Sequence, residues 1–297
     1  MWGGTVAYSP EQAEKGVILK ILAGSHVHGL NVATSDRDIE AIVVEPIDQM
    51  VRIGQPWEDI EQVQQFIYCP DAHISDLHRP EECGACVRQP DVKYFSLRKW
   101  CRMAANGNPN FLLILFAPKE NILAMNALGS QLREMKDLFL SKGAIRSHLG
   151  YMQGQRTRMV NHQREFGAGG GRGKPRFELI EKLGYDTKFA MHLLRLALQG
   201  LELATSSTIT LPMAAGNRET LLSVRQGKMS LGEVLDWAAF LEAEMKKAFD
   251  ASALPPQPDL AAIDAWMQKI YLRTWSAQRR IEDIREDQER LLLRVDG

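Results

Sequence analysis

The chain has little cysteine, almost no net charge and no long apolar run. Four Cys in 297 residues do not make a disulfide scaffold, so a reduced, cytosolic setting is expected. Lys+Arg 36 against Asp+Glu 37 leaves a formal net charge of −1. That excludes a histone-like polyanion binder, and any nucleic-acid contact has to come from a local basic patch. No apolar stretch approaches the roughly 20 residues needed to span a bilayer. The opening Met-Trp-Gly-Gly-Thr has neither a charged start nor an apolar signal core, so no membrane partner is expected. What remains is ordinary for a globular protein: 45% hydrophobic and 25% charged residues, enough to bury one large core or two medium ones.

The most informative stretch is residues 22–40. An apolar run from Val17 to Ala23 reads as a buried strand and stops at Gly24-Ser25. After a polar turn, Ser35-Asp36-Arg37-Asp38 opens a second apolar run, Ile39 to Val44, also read as a strand. Side chains two apart on a strand point the same way, so Asp36 and Asp38 project together beside the Gly-Ser turn. Paired carboxylates repel unless a cation lies between them, and Mg²⁺ suits a site that also takes phosphate oxygens. Gly24 lets a backbone N–H approach an anion, and Ser25 adds a hydroxyl donor. An Asp-x-Asp alone is more often an edge hairpin with solvated aspartates; its placement after Gly-Ser and between two apolar strands argues for the site.

Elsewhere the signals vary in strength. Ser9-Pro10-Glu11-Gln12 reads as a helix start with a capping box. Residues 47–90 are interrupted by Pro56, Pro70, Pro80 and Pro90, and Trp57 to Tyr68 suits a strand pair or a short helix equally. Cys69, His73, His78, Cys83 and Cys86 include one C-x-x-C. A zinc site usually shows two tight ligand pairs, so a loop with free thiols is the simpler reading. Asp91 to Ser96 alternates as a strand. Ser96 then caps a helix burying Leu97, Trp100, Cys101 and Ala104, and Asn106-Gly-Asn-Pro109 ends it. Phe111 to Phe116 reads as a buried helical segment.

From Asn121 onward the pattern turns helical, at 126–140, 145–163, 231–249 and 263–295, with a possible short strand at Thr208 to Pro212. Lys142 to Arg176 carries eight Lys/Arg (142, 146, 156, 158, 164, 172, 174, 176) against Glu165 alone. This is either a solvated face with a flexible loop or a phosphate track, with Tyr151 and Phe177 available to stack on bases or to serve as core. Gly167 to Lys174 is not a P-loop: Ala168 stands at the first glycine, Pro175 follows the lysine, and no strand precedes it. Five glycines in seven residues suggest a mobile loop, of a kind that can serve as a substrate flap. On a helix, Lys188, His192 and Arg195 fall at i, i+4 and i+7 and share one face suited to phosphate, or form a surface stripe paired with acids.

Gly-Ser followed by Ser-Asp-x-Asp on a strand resembles the DNA polymerase β-like nucleotidyltransferase superfamily. Ser-Leu-Arg-Lys-Trp (96–100), Gly-Asn-Pro (107–109) and Gly-Tyr-Asp-x-Lys-x-Ala-Met-His-x-x-Arg (184–195) are similar to a bacterial and phage branch linked to RNA repair. That branch often carries a Glu shortly after Asn-Pro, a place held here by Leu113; if that Glu touches substrate in relatives, acceptor choice differs here. The resemblance implies an α+β fold: a nucleotidyltransferase α/β domain with a mixed sheet, residues 1–118, and a helical substrate-binding domain, residues 119–297. It also implies a third metal carboxylate on a neighbouring strand, for which Asp91 is the candidate. The implied reaction is Mg²⁺-dependent, with two ions, and transfers a nucleoside monophosphate from an NTP to an acceptor hydroxyl. Asp36, Asp38 and Asp91 would hold metal, while Gly24, Ser25, Lys188, His192 and Arg195 would bind the nucleotide. An RNA 3′ end is the favoured acceptor. A protein hydroxyl, as in AMP-transferring toxin or antitoxin enzymes, and a binding module without catalysis are the alternatives.

Overall fold

The computed structural model describes residues 8–32, 35–51, 53–54, 56–62, 66–68, 87–88, 90–164 and 177–295. The capping box at Ser9 is formed, and it starts α1 (Pro10–Lys15). Next come β1 (Val17–Leu22), α2 (Gly24–His28), β2 (Asp38–Val43), α3 (Ile47–Met50), β3 (Asp59–Gln62), β4 (Phe66–Tyr68), β5 (Val87–Arg88) and β6 (Asp91–Ser96). Then follow α4 (Leu97–Ala105), α5 (Pro109–Phe116), β7 (Ile122–Met125), α6 (Ala127–Glu134) and α7 (Lys136–Phe139). The remainder is helical: α8 (Lys142–Arg164), α9 (Phe177–Leu183), α10 (Thr187–Ser206), α11 (Ala215–Arg225), α12 (Leu231–Ala251) and α13 (Leu260–Val295). This is an α+β protein, a mixed sheet followed by helices.

The sheet runs in the order β3-β6-β2-β1-β7, and β4 pairs separately with β5. The β2–β6 pair is parallel, with Asp38 opposite Asp91; the other pairs of the main sheet are antiparallel. Alternation divides β2 and β6 between two faces. Ile39, Ala41, Val43, Val92 and Tyr94 bury against Tyr8, Ala13 and Trp57. Ile42 and Phe95 look the other way, into the main core shared with α4, α5, α8, α10 and α12. That same face carries Asp38, Glu40, Asp91 and Lys93 toward its other end. One surface of the sheet is therefore apolar at one end and charged at the other.

The charged end is closed by α10. Asp186 starts this helix by accepting from the N–H groups of Lys188 and Phe189 at 2.9 and 3.2 Å. Phe189, Leu193, Leu194, Leu196 and Ala197 fix it in the core. Gly200 lets α8 and α12 come close: a Cβ there would lie 2.7 Å from Met245 Cε and 2.9 Å from His148 Cβ. Far from the charged end, Glu45 is fully buried. It accepts from Tyr271 Oη at 2.9 Å and the Leu97 N–H at 3.2 Å, which ties α13 to the end of β2.

Several local expectations need correction. Gly24-Ser25 opens a five-residue helix, α2, rather than a polar turn. Ile122 to Met125, made of residues that also favour helices, is a strand because β1 offers it a ladder; the sheet thus continues past residue 118. The helix read over 126–140 is two, broken at Met135. Thr208 to Pro212 forms no strand, and Ile209 instead fills the core. The ambiguous 57–68 stretch contains two strands, β3 and β4, which lie in different sheets. Cys69, His73, His78, Cys83 and Cys86 lie outside the described residues, as does Gly167 to Lys174. Among the described residues, no helix is long and apolar enough to cross a membrane.

Candidate active site

Asp38 and Asp91 are direct register partners on parallel neighbouring strands, so their side chains leave the sheet on the same face. Asp36 sits two residues before Asp38, exposed, on the segment leading into β2. The three charges act on one another. Burial raises the Asp38 carboxyl above its ordinary value; Lys93 opposes this, Asp36 and Asp91 add to it, and Lys188 opposes it. Two positions along β2, Glu40 faces Lys93 in the register. Burial pushes its carboxyl up to about 7, with Lys93 working against the shift and Asp38 with it. Lys93 in turn reaches Glu61 at 3.3 Å.

Chain direction brings Gly24 against Asp38. The Ala23 N–H donates to the Asp38 carbonyl at 2.8 Å, closing the end of the β1–β2 ladder. Gly24 then turns into α2 with φ +59, and a Cβ there would fall inside the Asp38 carboxylate. Glycine is required on both counts, backbone hand and space. Ser25 follows in the first turn of α2, where backbone N–H groups have no intrahelical acceptor.

A cavity of about 260 Å³ joins these groups to α10. Gly24, Ser25, Asp36, Asp38 and Glu40 line it on the sheet side; Lys188, His192 and Arg195 line it on the helix side. Leu113 is part of the lining, while Asp91 lies beside Asp38 outside it. Seven of the eight residues singled out in the sequence therefore meet in one cavity, and the eighth adjoins it.

Arg195 is placed differently from an open phosphate ligand. It is only 6% exposed, and its Nη1 donates to His28 Nε2 at 2.8 Å and Gln199 Oε1 at 3.0 Å. Burial lowers its pKa to about 10, still cationic at neutral pH. His28, 4% exposed, is kept neutral by burial first, then by Arg195 and His192. Gln199 Nε2 also lies 3.3 Å from His28 Nδ1, so Arg195, His28 and Gln199 form one buried polar cluster. His28, Gln199, Glu40 and Lys93 were not singled out in the sequence. For Glu40 a signal existed, since the period of two from Asp36 and Asp38 extends to it. For the His28–Arg195 pair, 167 residues apart, there was none.

The basic segment on α8 divides. Lys142 and Arg146 sit over the Phe249 ring at 5.5 and 5.1 Å, and Arg156 reaches Glu242 at 3.7 Å, so these three pack against α12. Arg158 instead lines a cavity beside α10. Tyr151 Oη accepts from Asn108 Nδ2 at 2.7 Å, and Phe177 begins α9. Arg172, Lys174 and Arg176 lie outside the described residues. Among the described residues no three His, Cys, Asp or Glu side chains close into a ready-made metal cage.

The carboxylates nonetheless fit Mg²⁺ in kind. They are hard oxygen donors, and burial, with Asp36 and Asp91 adding to it, raises the Asp38 carboxyl despite Lys93 and Lys188, so a cation there would favour its ionised form. Mg²⁺ is commonly held by one or two carboxylates together with substrate phosphates and water, rather than by an all-protein cage.

Compared with curated proteins and with solved structures, the chain finds no match. The family model described as the RNA repair pathway DNA polymerase beta family matches residues 5–269, which includes every residue of the cavity. The chain accordingly belongs to the RNA repair pathway DNA polymerase beta family, a group of polymerase β-like nucleotidyltransferases.

Proposed function

We propose that the protein transfers a nucleoside monophosphate from an NTP to the 3′ hydroxyl of an RNA, with Mg²⁺ and release of pyrophosphate. The observation that carries the reading is the single cavity in which Asp36 and Asp38 face Lys188, His192 and Arg195, with Gly24-Ser25 at the sheet side. Carboxylates on one wall and cations on the other suit a metal-bound polyphosphate, which needs both.

In this reading Asp36 and Asp38 hold the metal, and Asp91 completes the set from the adjoining strand. Bound there, Mg²⁺ supplies positive charge to the polyphosphate and acidifies the attacking hydroxyl. The Ser25 hydroxyl and the first N–H groups of α2 donate to phosphate oxygens. Lys188 and His192 meet the charge that builds on the leaving pyrophosphate. Arg195, held by His28 and Gln199, adds a fixed cation that needs no reorganisation during the reaction. The new bond joins the acceptor oxygen to the α-phosphorus in line with the bond that breaks to pyrophosphate. The hydroxyl proton leaves to a carboxylate of the sheet wall or to water.

The test is incubation of the protein with Mg²⁺, each α-labelled NTP in turn, and RNA or total cellular protein. Label on RNA 3′ ends, lost in Asp38→Asn, is the expected result. Label on protein would favour the AMP-transferring alternative. No transfer with any NTP would leave a binding module and end the catalytic reading.

A further inference from the structure

The basic stripe of α10 has a second side. Beyond it lies another cavity, of about 300 Å³, lined by Asn110 on α5, Gln155 and Arg158 on α8, and Lys188, Phe189, His192 and Arg195 on α10. Asn110, Lys188, His192 and Arg195 line both cavities, so the two share one wall. Their other walls differ in sign. The first has Asp36, Asp38 and Glu40; among the described residues, the lining of the second includes no acidic side chain.

Among the described residues, two buried polar atoms of side chains that line this second cavity make no hydrogen bond: Arg195 Nε and Gln155 Oε1. The Arg195 side chain is more than nine-tenths buried, and its Nη1 is already engaged by His28 and Gln199. Its Nε–H is thus a charged donor lacking an acceptor, a costly arrangement that an anionic oxygen would relieve. A half-turn of the Gln155 amide exchanges its oxygen for an NH₂ and makes a second donor.

We propose that this second cavity is a phosphate subsite for the acceptor strand. It takes a backbone phosphate of a single-stranded polyribonucleotide whose 3′ end enters the neighbouring aspartate cavity. The identity of the bound strand as acceptor rests on the transferase reading; the anion site itself does not. The triphosphate of the donor is assigned to the first cavity, because Gly24, Ser25, Asp36 and Asp38 line only that one. Arg158 and Gln155 line only the second, which makes them the residues that discriminate between the two.

The experiment measures equilibrium binding to the full chain of a labelled oligoribonucleotide and, separately, of a non-hydrolysable NTP analogue, across a salt series. Arg158 is exposed on a helix, so its replacement is compatible with the fold. Arg158→Ala is expected to weaken oligoribonucleotide binding about three- to tenfold and to flatten its log–log salt slope by about 0.7, with the analogue unaffected. Arg158→Lys, which keeps the charge, should restore the slope. Gln155→Ala should weaken the oligoribonucleotide with no change of slope. The assignment is overturned if the wild type does not bind the oligoribonucleotide, if Arg158→Ala binds it normally, or if the loss falls on the NTP analogue instead. A wild-type chain that transfers no nucleotide but shows the Arg158 effect would end the transferase reading and leave the anion subsite standing.

Discussion

Replacing Glu40 by Gln should stabilise the protein at alkaline pH and hardly change it at acidic pH. The Glu40 carboxyl is moved from 4.5 to about 7 by burial, with Asp38 adding to the shift and Lys93 opposing it. A raised folded-state value means the folded chain holds a proton that the unfolded chain releases. Stability therefore falls as pH rises from about 4.5 to about 7, and the whole cost is present above that window. At about 1.36 kcal/mol per unit, the ionised form carries a penalty of about 3 kcal/mol. Gln keeps the size and cannot ionise. Urea unfolding at pH 8 should show the variant more stable by about 2–3 kcal/mol at unchanged m-value, shrinking to near zero at pH 4.5. Magnesium with an NTP should narrow the gap at pH 8, since a bound cation stabilises the ionised carboxylate in the parent. A difference of equal size at both pH values would refute the electrostatic account, because it would mean that packing, not charge, separates Glu from Gln.

Asp38→Asn should abolish nucleotide transfer while leaving unfolding stability equal or slightly higher, since it removes a half-buried charge whose pKa is raised; retained Mg²⁺-dependent transfer would disprove the metal role. Gly24→Ala should also remove activity, as the left-handed backbone and the Asp38 carboxylate both oppose a side chain there; normal kcat and KM in this variant would contradict the tight approach. Arg195→Ala leaves His28 and Gln199 without their buried partner, so it should cost about 1–3 kcal/mol in a denaturant melt and raise KM for NTP roughly ten- to hundredfold. Arg195→Lys should recover little of either, because the lysine lacks the Nε–H and the rigid planar fork that carries Nη1 to His28 and Gln199.

Much of the site can be read in the order of the residues because its parts are local. Gly24-Ser25 at the end of one apolar run and Asp36/Asp38 at the start of the next are set by strand period and strand ends. Lys188, His192 and Arg195 share a face wherever a helix forms, and Asp186 ensures that one does. Ser9 and Ser96 mark their helix starts by the same short-range hydrogen bonding. Tertiary structure decided what depends on partners distant in the chain. Ile122 to Met125 becomes a strand only because β1 presents an open edge. Asp91 becomes the companion of Asp38 through a parallel register that the 52 residues between them do not encode locally. Arg195 changes from a surface cation into a buried one through His28, far away in sequence. Glu40 acquires its high pKa only when α10 and the sheet remove water from it. Helix and strand periods are properties of neighbouring residues, whereas desolvation and register belong to surfaces that exist only after the chain has closed on itself.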